Sequence, residues 1–449
     1  MSFICSIAVA CSLAEIASIY PTAGGQYHWV AALAPPRQKI IVSWLTGWIS
    51  VGGQIVLTAS AAFVAGLQFQ SLITLNHPDS YVPERWQGML FYWFILLYSA
   101  VVNIWGSRVL PHTNIASGKW TSIDESSWKI ELTSSLGILH VAGVIAIIIV
   151  LCIMAPKVSA NFVFVQISNT SGWSNDGVSW LVGLLSAVYP FLGYDAACHL
   201  AEELPRPSRN VPIAMIGSVV ANGIMGLGCC IMLLFSLGSL DDLLASPTGF
   251  PFMQLFLNAT LNKAGATILI LPVSLIAVAA NAAGCTSTSR TYWALARDNG
   301  TPFSKYFSHV HAKLQIPVRA VVALTVVEML LGLIYLGNST AFNAILSMSI
   351  LGMYASYLLP IVYMVVCGRK NLGRDQYGPF NMGKLGLSTN VVAICWLALA
   401  IVFSTFPSVQ PVTAENMNYS VVVMIGWLAF GAAFFVLFGR QHYKGPPLV

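Results

Sequence analysis

The stretch LGILHVAGVIAIIIVLCIMA, at residues 136–155, decides the fold class, because no Asp, Glu, Lys or Arg interrupts it. An α-helix of about 20 such residues crosses the hydrocarbon core of a bilayer, which is about 30 Å thick. The stretch lacks the strict two-residue alternation of a lipid-facing strand. Similar runs recur along the chain at 1–19, 40–66, 89–104, 136–155, 178–192, 213–237, 266–283, 318–336, 342–367, 391–406 and 421–438. They predict an all-α polytopic membrane protein with about 11 transmembrane helices.

The composition agrees with a chain that lies in lipid over its whole length. Of 449 residues, 57% are hydrophobic and 8% are charged, and the mean hydropathy is +0.74. No soluble core of this size has such a balance. The nine cysteines fall within or beside the apolar runs, and none lies at metal-ligand spacing in a polar loop. We therefore expect one transmembrane domain, residues 1–449, with the lipid bilayer around it and no metal or other cofactor.

Basic residues predict the orientation of the chain. When the runs are threaded through a membrane in order, Arg85, Lys157 and Lys263 fall on one side, and all other Lys and Arg residues fall on the side of the carboxyl terminus. Because basic residues concentrate on the cytoplasmic side, the carboxyl terminus is expected in the cytoplasm. The net charge of +5 is explained by this bias, so no nucleic-acid partner is predicted. The expected location is the plasma membrane, with the vacuolar membrane as the alternative.

The fifth apolar run is interrupted by the sequence YPFLGYD, residues 189–195. Pro190 lacks a backbone donor and Gly193 accepts unusual dihedral angles, so an intact helix is not expected here. A broken helix at membrane depth requires a cavity, which in transporters is the substrate site. A carboxylate at Asp195 is costly in a membrane unless it is paired, which marks it as a functional candidate. The alternatives are a simple proline kink in a packed helix and an Asp that caps a helix or anchors a loop.

A charged segment follows the interruption. Glu202, Glu203, Arg206 and Arg209 lie within 12 residues that also contain three prolines (201–212). Opposite charges so close together predict an ion pair that closes one face of the protein. A solvated loop is the alternative, because exposed pairs contribute only about 0–1 kcal/mol.

Three motifs resemble those of the amino acid, polyamine and organocation (APC) superfamily of transporters. The sequence YPFLGYDAA (189–197), with the glutamates and RNVP (209–212) after it, is similar to the sixth helix of that family and its following loop. AEIASIYPTAGGQY (14–27) looks like the end of the second helix, and SRTYWALARD (289–298) looks like the segment after the eighth. The resemblance covers nearly the whole chain and is nearest to the fungal branch that carries amino acids, γ-aminobutyrate or choline.

The resemblance implies a LeuT-like fold of five-plus-five inverted repeats and two accessory helices. The core would occupy residues 1–367 and the accessory helices residues 388–438. Tyr189 would be an aromatic gate, and residues 186–193 would supply unwound backbone. The mapping assigns substrate binding to Gln54, Ser186, Tyr189, Pro190, Phe191, Gly193, Asn281 and Ser287. It assigns coupling and gating to His140, Asp195, Glu202, Glu203, Arg206 and Arg209.

Two of these assignments compete with structural alternatives. His140 lies where some relatives carry a lysine linked to proton coupling, and an imidazole changes charge between about pH 5 and 8. The alternative, which the sequence favours, is a neutral histidine packed against a neighbouring helix. Gln54, Asn281 and Ser287 are suited to bind a ligand or an ion, but polar side chains also join membrane helices to one another.

The chain departs from the family pattern in two places. The motif of the second helix begins near Glu15, so the first helix of the family is expected to be absent. The polar stretch 118–135 has no family counterpart and is expected to be an atypical cytoplasmic insert. We hypothesise that it is a retained intron translated in frame, which sequencing of mature transcripts would test.

The sequence therefore predicts a secondary active transporter that moves amino acids or related amines, such as γ-aminobutyrate or choline, by alternating access. A proton or another ion would be the coupling partner. The alternative is a truncated, non-transporting membrane sensor or remnant of such a permease. An enzyme is not predicted, because no nucleophile triad, metal-ligand cluster or phosphate loop occurs at usable spacing.

Overall fold

The computed structural model describes residues 1–109, 125–167 and 169–447, and this part of the chain is helical without any β-strand. The α-helices are α1 Ser2–Ile19, α2 Gln26–Leu33, α3 Lys39–Asn76, α4 Arg85–Val109, α5 Glu125–Met154, α6 Ala160–Phe164, α7 Asp176–Gly183, α8 Leu185–Val188, α9 Ala196–His199, α10 Pro207–Phe235, α11 Leu240–Leu244, α12 Pro251–Thr260, α13 Lys263–Arg297, α14 Ser304–Phe307, α15 Val318–Gly337, α16 Ser339–Tyr363, α17 Arg369–Asn371, α18 Gly386–Phe403, α19 Ser420–Phe434 and α20 Arg440–His442. Short 3₁₀ or π segments extend several of them.

The predicted membrane spans are confirmed. In the described residues, 11 helical segments are long and apolar enough to cross a membrane, and each overlaps one of the predicted runs. The fifth of them, Asp176–His199, is the segment that contains the predicted interruption. Of the predicted insert at 118–135, residues 118–124 lie outside the described residues, and residues 125–135 form the first part of α5.

The centre of the fold is α3, a helix of 38 residues that packs against α4, α13 and α16. Its crossing with α16 is very close, because Gly53 and Gly352 face each other. A Cβ atom added to Gly53 would lie 2.9 Å from the backbone carbonyl carbon of Gly352. Small residues at such crossings let helix backbones approach, which is how helices associate without a hydrophobic driving force in lipid.

We expect Gly53→Ala to lower the free energy of unfolding by about 1–3 kcal/mol, because the added methyl group must push the two helices apart. The measurement is denaturation of the purified protein in detergent. Gly217→Ala on α10 is the matched control, since a Cβ there meets nothing within 4 Å. Equal stability of the two variants would contradict the close crossing.

A buried ion pair joins α1 to the end of the span that contains α16. The Glu15 carboxylate is fully buried, and its Oε2 accepts a hydrogen bond from Arg369 Nη2 at 2.5 Å. Its Oε1 accepts from the backbone N–H of Met382 at 2.9 Å. Arg369 Nε in turn donates to Asn390 Oδ1 on α18 at 2.8 Å. One carboxylate thus connects the first span, the ninth span and the start of the tenth.

Candidate functional site

The fifth span is broken where the sequence predicts it. Helix α8 ends at Val188, a 3₁₀ turn covers Tyr189–Phe191, and the short helix α9 begins only at Ala196. Gly193 lies between them with a φ of +86°. Its positive φ is what requires glycine, because a Cβ at this position would meet only Leu57, at 4.0 Å. The segment is therefore an interruption of the helix, and not a simple kink at Pro190.

Asp195 is the buried acidic group at this break. The residue is 1% exposed. Its Oδ1 accepts a hydrogen bond from the Tyr357 hydroxyl at 2.5 Å, and its Oδ2 accepts from Gln26 Nε2 at 2.6 Å. Although Asp195 precedes α9, its side chain makes no capping bond to the helix backbone. The carboxylate therefore joins three parts of the protein, and the capping alternative does not describe it.

His199 completes the network, and the sequence reasoning missed it. Its Nε2 lies 3.3 Å from Asp195 Oδ2 and 3.0 Å from the side-chain nitrogen of Gln54. Its Nδ1 lies 2.9 Å from the carbonyl oxygen of Ala23. Since a carbonyl oxygen can only accept, Nδ1 carries a proton. The spacing of four residues from Asp195 places both side chains on one helical face, and this signal could have identified His199.

The orientation of the Gln54 amide depends on the proton at His199 Nε2. With that nitrogen unprotonated, the Gln54 amide donates to it, and Gln54 Oε1 is left without a partner. With that nitrogen protonated, the imidazolium faces Asp195, and a rotated Gln54 amide accepts from it. The site can therefore hold or release one proton by turning one amide group.

Glycine at position 25 brings α2 close to this network. Gly25 has a φ of +58°, and a Cβ on it would lie 2.7 Å from His199 Cε1. No other residue fits both the conformation and the space. The first residue of α2, Gln26, consequently reaches Asp195, and the next residue, Tyr27, points to the nearby membrane face.

The remaining predicted substrate residues lie in different surroundings. The Tyr189 hydroxyl contacts Ser60 Oγ on α3 at 2.9 Å, and Phe191 stacks on Phe3 at a centroid distance of 5.9 Å. Ser186 and Pro190 are exposed at the break.

Polar side chains of α13 mainly join helices. Asn281 is fully buried, and both polar atoms of its side-chain amide are used. Its Oδ1 accepts from the Ser99 hydroxyl at 2.7 Å, and its Nδ2 donates to the Thr58 carbonyl at 2.8 Å. This geometry favours the helix-joining alternative for Asn281. Ser287 is buried on the same helix. His140 lies on α5, which packs against α10, α12 and α13. None of the α5 side chains that the structure describes belongs to the Asp195 network.

Two ion pairs lie at one membrane face, which we call the charged face and define by Glu202, Glu203, Arg290 and Arg297. Arg297 Nη1 donates to both Glu202 oxygens at 3.1 and 3.2 Å, and Arg290 Nε donates to Glu203 Oε1 at 3.1 Å. Pairing of the two glutamates was predicted, but with the wrong partners.

Arg206 and Arg209 make no ion pair within the described part of the chain. The chain turns into α10 at Arg206, which has a φ of +47°. Because of this turn, both arginines lie away from Glu202 and Glu203. The last two turns of α13 supply the guanidinium groups instead. Sequence proximity therefore gave the wrong partners, because the loop and α13 meet only in the folded protein.

Tyr27 adds a further polar contact at the charged face. Its hydroxyl donates to Asp298 Oδ2 at 2.8 Å. Burial raises the pKa of the Tyr27 phenol well above its ordinary value, and the neighbouring Asp298 raises it further. The phenol therefore keeps its proton and acts as a donor. Burial also raises the pKa of the Asp298 carboxyl, an effect that the bond from Tyr27 opposes.

A bundle of membrane-spanning helices with one span broken around a buried carboxylate is the architecture of secondary transporters. The family model for amino acid permeases matches residues 1–123 and 120–430. The chain belongs to the amino acid permease family, within the APC superfamily that its motifs resemble, and it is accordingly a membrane transporter and not an enzyme.

Relatives and solved structures agree with this membership. The chain is 32% identical to a choline transporter of Saccharomyces cerevisiae, over 98% of this chain and 74% of that protein. It is 30% identical to amino-acid permease 2 of Neurospora crassa, over 98% of this chain and 77% of that protein. A crystal structure of a manganese transporter from Eremococcus coleocola is similar with a TM-score of 0.53 at 13% identity, covering 97% of this chain and 87% of that one. The structural likeness shows the fold alone, which is LeuT-like.

Proposed function

We propose that this protein moves small amines or amino acids across a membrane by alternating access, with the break at residues 189–195 as part of the substrate site. The observation that carries the proposal is the buried Asp195 carboxylate at an interrupted span. Amino acids and choline share a cationic nitrogen, and a carboxylate in low dielectric binds such a group strongly. The names of the yeast and Neurospora relatives agree with this substrate class.

Aromatic rings beside Asp195 also suit a cationic nitrogen. The rings of Tyr194 and Tyr357 lie 5.1 Å apart, and those of Tyr354 and Tyr357 lie 6.1 Å apart. Tyrosine faces attract cations, including quaternary ammonium groups that cannot donate hydrogen bonds. A carboxylate with three tyrosines can therefore accept both a primary amine and a choline-like group.

Proton coupling is the second part of the proposal. A cationic substrate at Asp195 competes with the imidazolium of His199 for the same carboxylate, so substrate binding favours release of the proton from His199. The carboxyl terminus and the charged face would be cytoplasmic, in the plasma membrane or, as the alternative, in the vacuolar membrane. The domain would comprise a core at residues 1–367 and accessory helices at 388–438.

The test is uptake of labelled amino acids, γ-aminobutyrate and choline into proteoliposomes that contain the purified chain, with and without an imposed proton gradient. The proposal expects saturable uptake of at least one compound, accelerated by an outward proton gradient, because substrate and proton exchange at the same carboxylate. Liposomes without protein are the control. If no compound is taken up or exchanged, the non-transporting alternative is correct.

Opening of the charged face can be measured at Cys198, which is fully buried just inside that face. In a variant that retains Cys198 as its only cysteine, Glu202→Gln with Glu203→Gln is expected to raise the rate of maleimide labelling. The increase is up to about thirtyfold, because the two ion pairs, each with an exposed glutamate, together contribute about 0–2 kcal/mol.

The matched control is Arg206→Gln with Arg209→Gln, which removes charges from the same loop without breaking an ion pair. Its labelling rate is expected to equal that of the parent. If both double variants label equally fast, the two ion pairs do not hold the charged face closed.

A further inference from the structure

Glu328 is a carboxyl group in the middle of a membrane span, outside the network described above. It lies at the midpoint of α15, which has 20 residues. Each half of such a helix is about 15 Å long, so the group is far from both membrane faces. The residue is 2% exposed. An ionisable side chain in such a position is costly to keep, and membrane proteins retain such groups where they serve a function.

Within the described residues, the Glu328 side chain has neither a hydrogen bond nor an ion pair. The nearest polar groups are used elsewhere. The Tyr92 hydroxyl donates to the backbone carbonyl of Glu328 at 2.7 Å, and not to its carboxyl group. The Thr325 hydroxyl, on the same helix, bonds to the carbonyl of Val321 at 2.9 Å.

Among the side chains that the structure describes, no cation compensates a charge on Glu328. Helix α15 packs against α3, α4, α13, α14 and α16. The titratable groups that interact with it electrostatically are the Tyr92 phenol on α4 and the Cys285 thiol on α13. Arg290 on α13 is paired with Glu203.

The other helices that pack against α15 offer no counter-ion at this depth. Helix α16 contains no Asp, Glu, Lys, Arg or His. The only such residue of α3 is Lys39, which is its first residue. Lys305 lies on the short helix α14, which precedes the start of α15.

An unpaired carboxylate in an apolar interior costs several kcal/mol, whereas the neutral acid costs far less. We propose that Glu328 is a proton-binding site of the transport cycle, protonated in the conformation described here and deprotonated when the helices around α15 rearrange and admit water. In that step the carboxyl O–H bond breaks, a water molecule takes the proton, and the carboxylate remains. The inference rests on the proposed transport function and adds a second proton-binding group to His199.

Infrared difference spectroscopy tests this site without any transport. The full chain in lipid nanodiscs is compared at neutral pH between the parent protein and each variant. A protonated carboxylic acid has a carbonyl-stretch band that a carboxylate lacks. At neutral pH this band is expected in the parent protein and in Asp241→Asn, which removes an exposed carboxylate on α11. It is expected to be lost in Glu328→Gln, an isosteric change that keeps the neutral shape. Persistence of the full band in Glu328→Gln overturns the proposal.

Proteoliposome uptake distinguishes the site from the proposed function. Failure of the parent protein to transport any compound rejects the proposed function, while the infrared result still decides the protonation of Glu328. If the parent transports, Glu328→Gln is expected to retain exchange of substrate across the membrane. It should also show an acceleration by an outward proton gradient that is about tenfold smaller than that of the parent, equivalent to about 1.4 kcal/mol. An unchanged response to the gradient overturns the role of Glu328 in the cycle.

Discussion

Asp195→Asn is expected to lower the initial rate of substrate uptake to about one hundredth of the parent rate or less, because losing one partner of a buried charge pair costs about 3–5 kcal/mol. The amide cannot balance an imidazolium at His199, and it offers a cationic substrate no opposite charge. The measurement is labelled uptake into proteoliposomes, normalised to the amount of protein inserted.

Asp176→Asn is the matched control for this prediction. Asp176 begins the same interrupted span, but it is exposed and accepts a hydrogen bond only from Asn169, at 2.9 Å. Uptake by this variant is expected to stay within about twofold of the parent, since exposed polar contacts contribute less than about 1 kcal/mol. Transport by Asp195→Asn at a rate similar to this control would remove Asp195 from the substrate site.

The second large effect is expected on stability. Arg369→Gln should lower the free energy of unfolding by about 3–5 kcal/mol, because it leaves the Glu15 carboxylate buried without a counter-ion. The double change Glu15→Gln with Arg369→Gln removes both charges, and it should recover most of this loss. Denaturation in detergent, followed by tryptophan fluorescence, measures the three variants together.

Lys370→Gln is the control for the loss of one positive charge. Lys370 is the next residue along the chain and is exposed, so its replacement should change stability by less than about 0.5 kcal/mol. If Arg369→Gln were as stable as Lys370→Gln, the Glu15 ion pair would contribute nothing to joining the first and ninth spans.

Some features of this protein follow from local sequence and others do not. The spans follow because lipid demands long apolar helices wherever the chain crosses it. The break follows because Pro190 and Gly193 act on the backbone at their own positions. Asp195 was identified for the same local reason, as a charge inside an apolar run.

The partners of these groups could not be predicted in the same way. Gln26 and Tyr357 are 169 and 162 residues from Asp195, and only the packing of α2 and α16 brings them together. Similarly, Arg297 is 95 residues from Glu202, so the nearer arginines appeared to be its partners. Glu328 was overlooked because a single acid in a long apolar run hardly changes the hydropathy that identifies the span.

Two adjacent residues of α2 connect the Asp195 network to the charged face through this one short helix. Gln26 is bonded to the Asp195 carboxylate, and Tyr27 is bonded to Asp298, next to the charged face. We expect this helix of eight residues, which begins after a tightly fitted glycine, to move as one rigid piece. A tilt of α2 that breaks the Tyr27–Asp298 contact therefore also disturbs the Gln26–Asp195 contact. Binding of a molecule at Asp195 can thus change the contacts at the membrane face through this one helix.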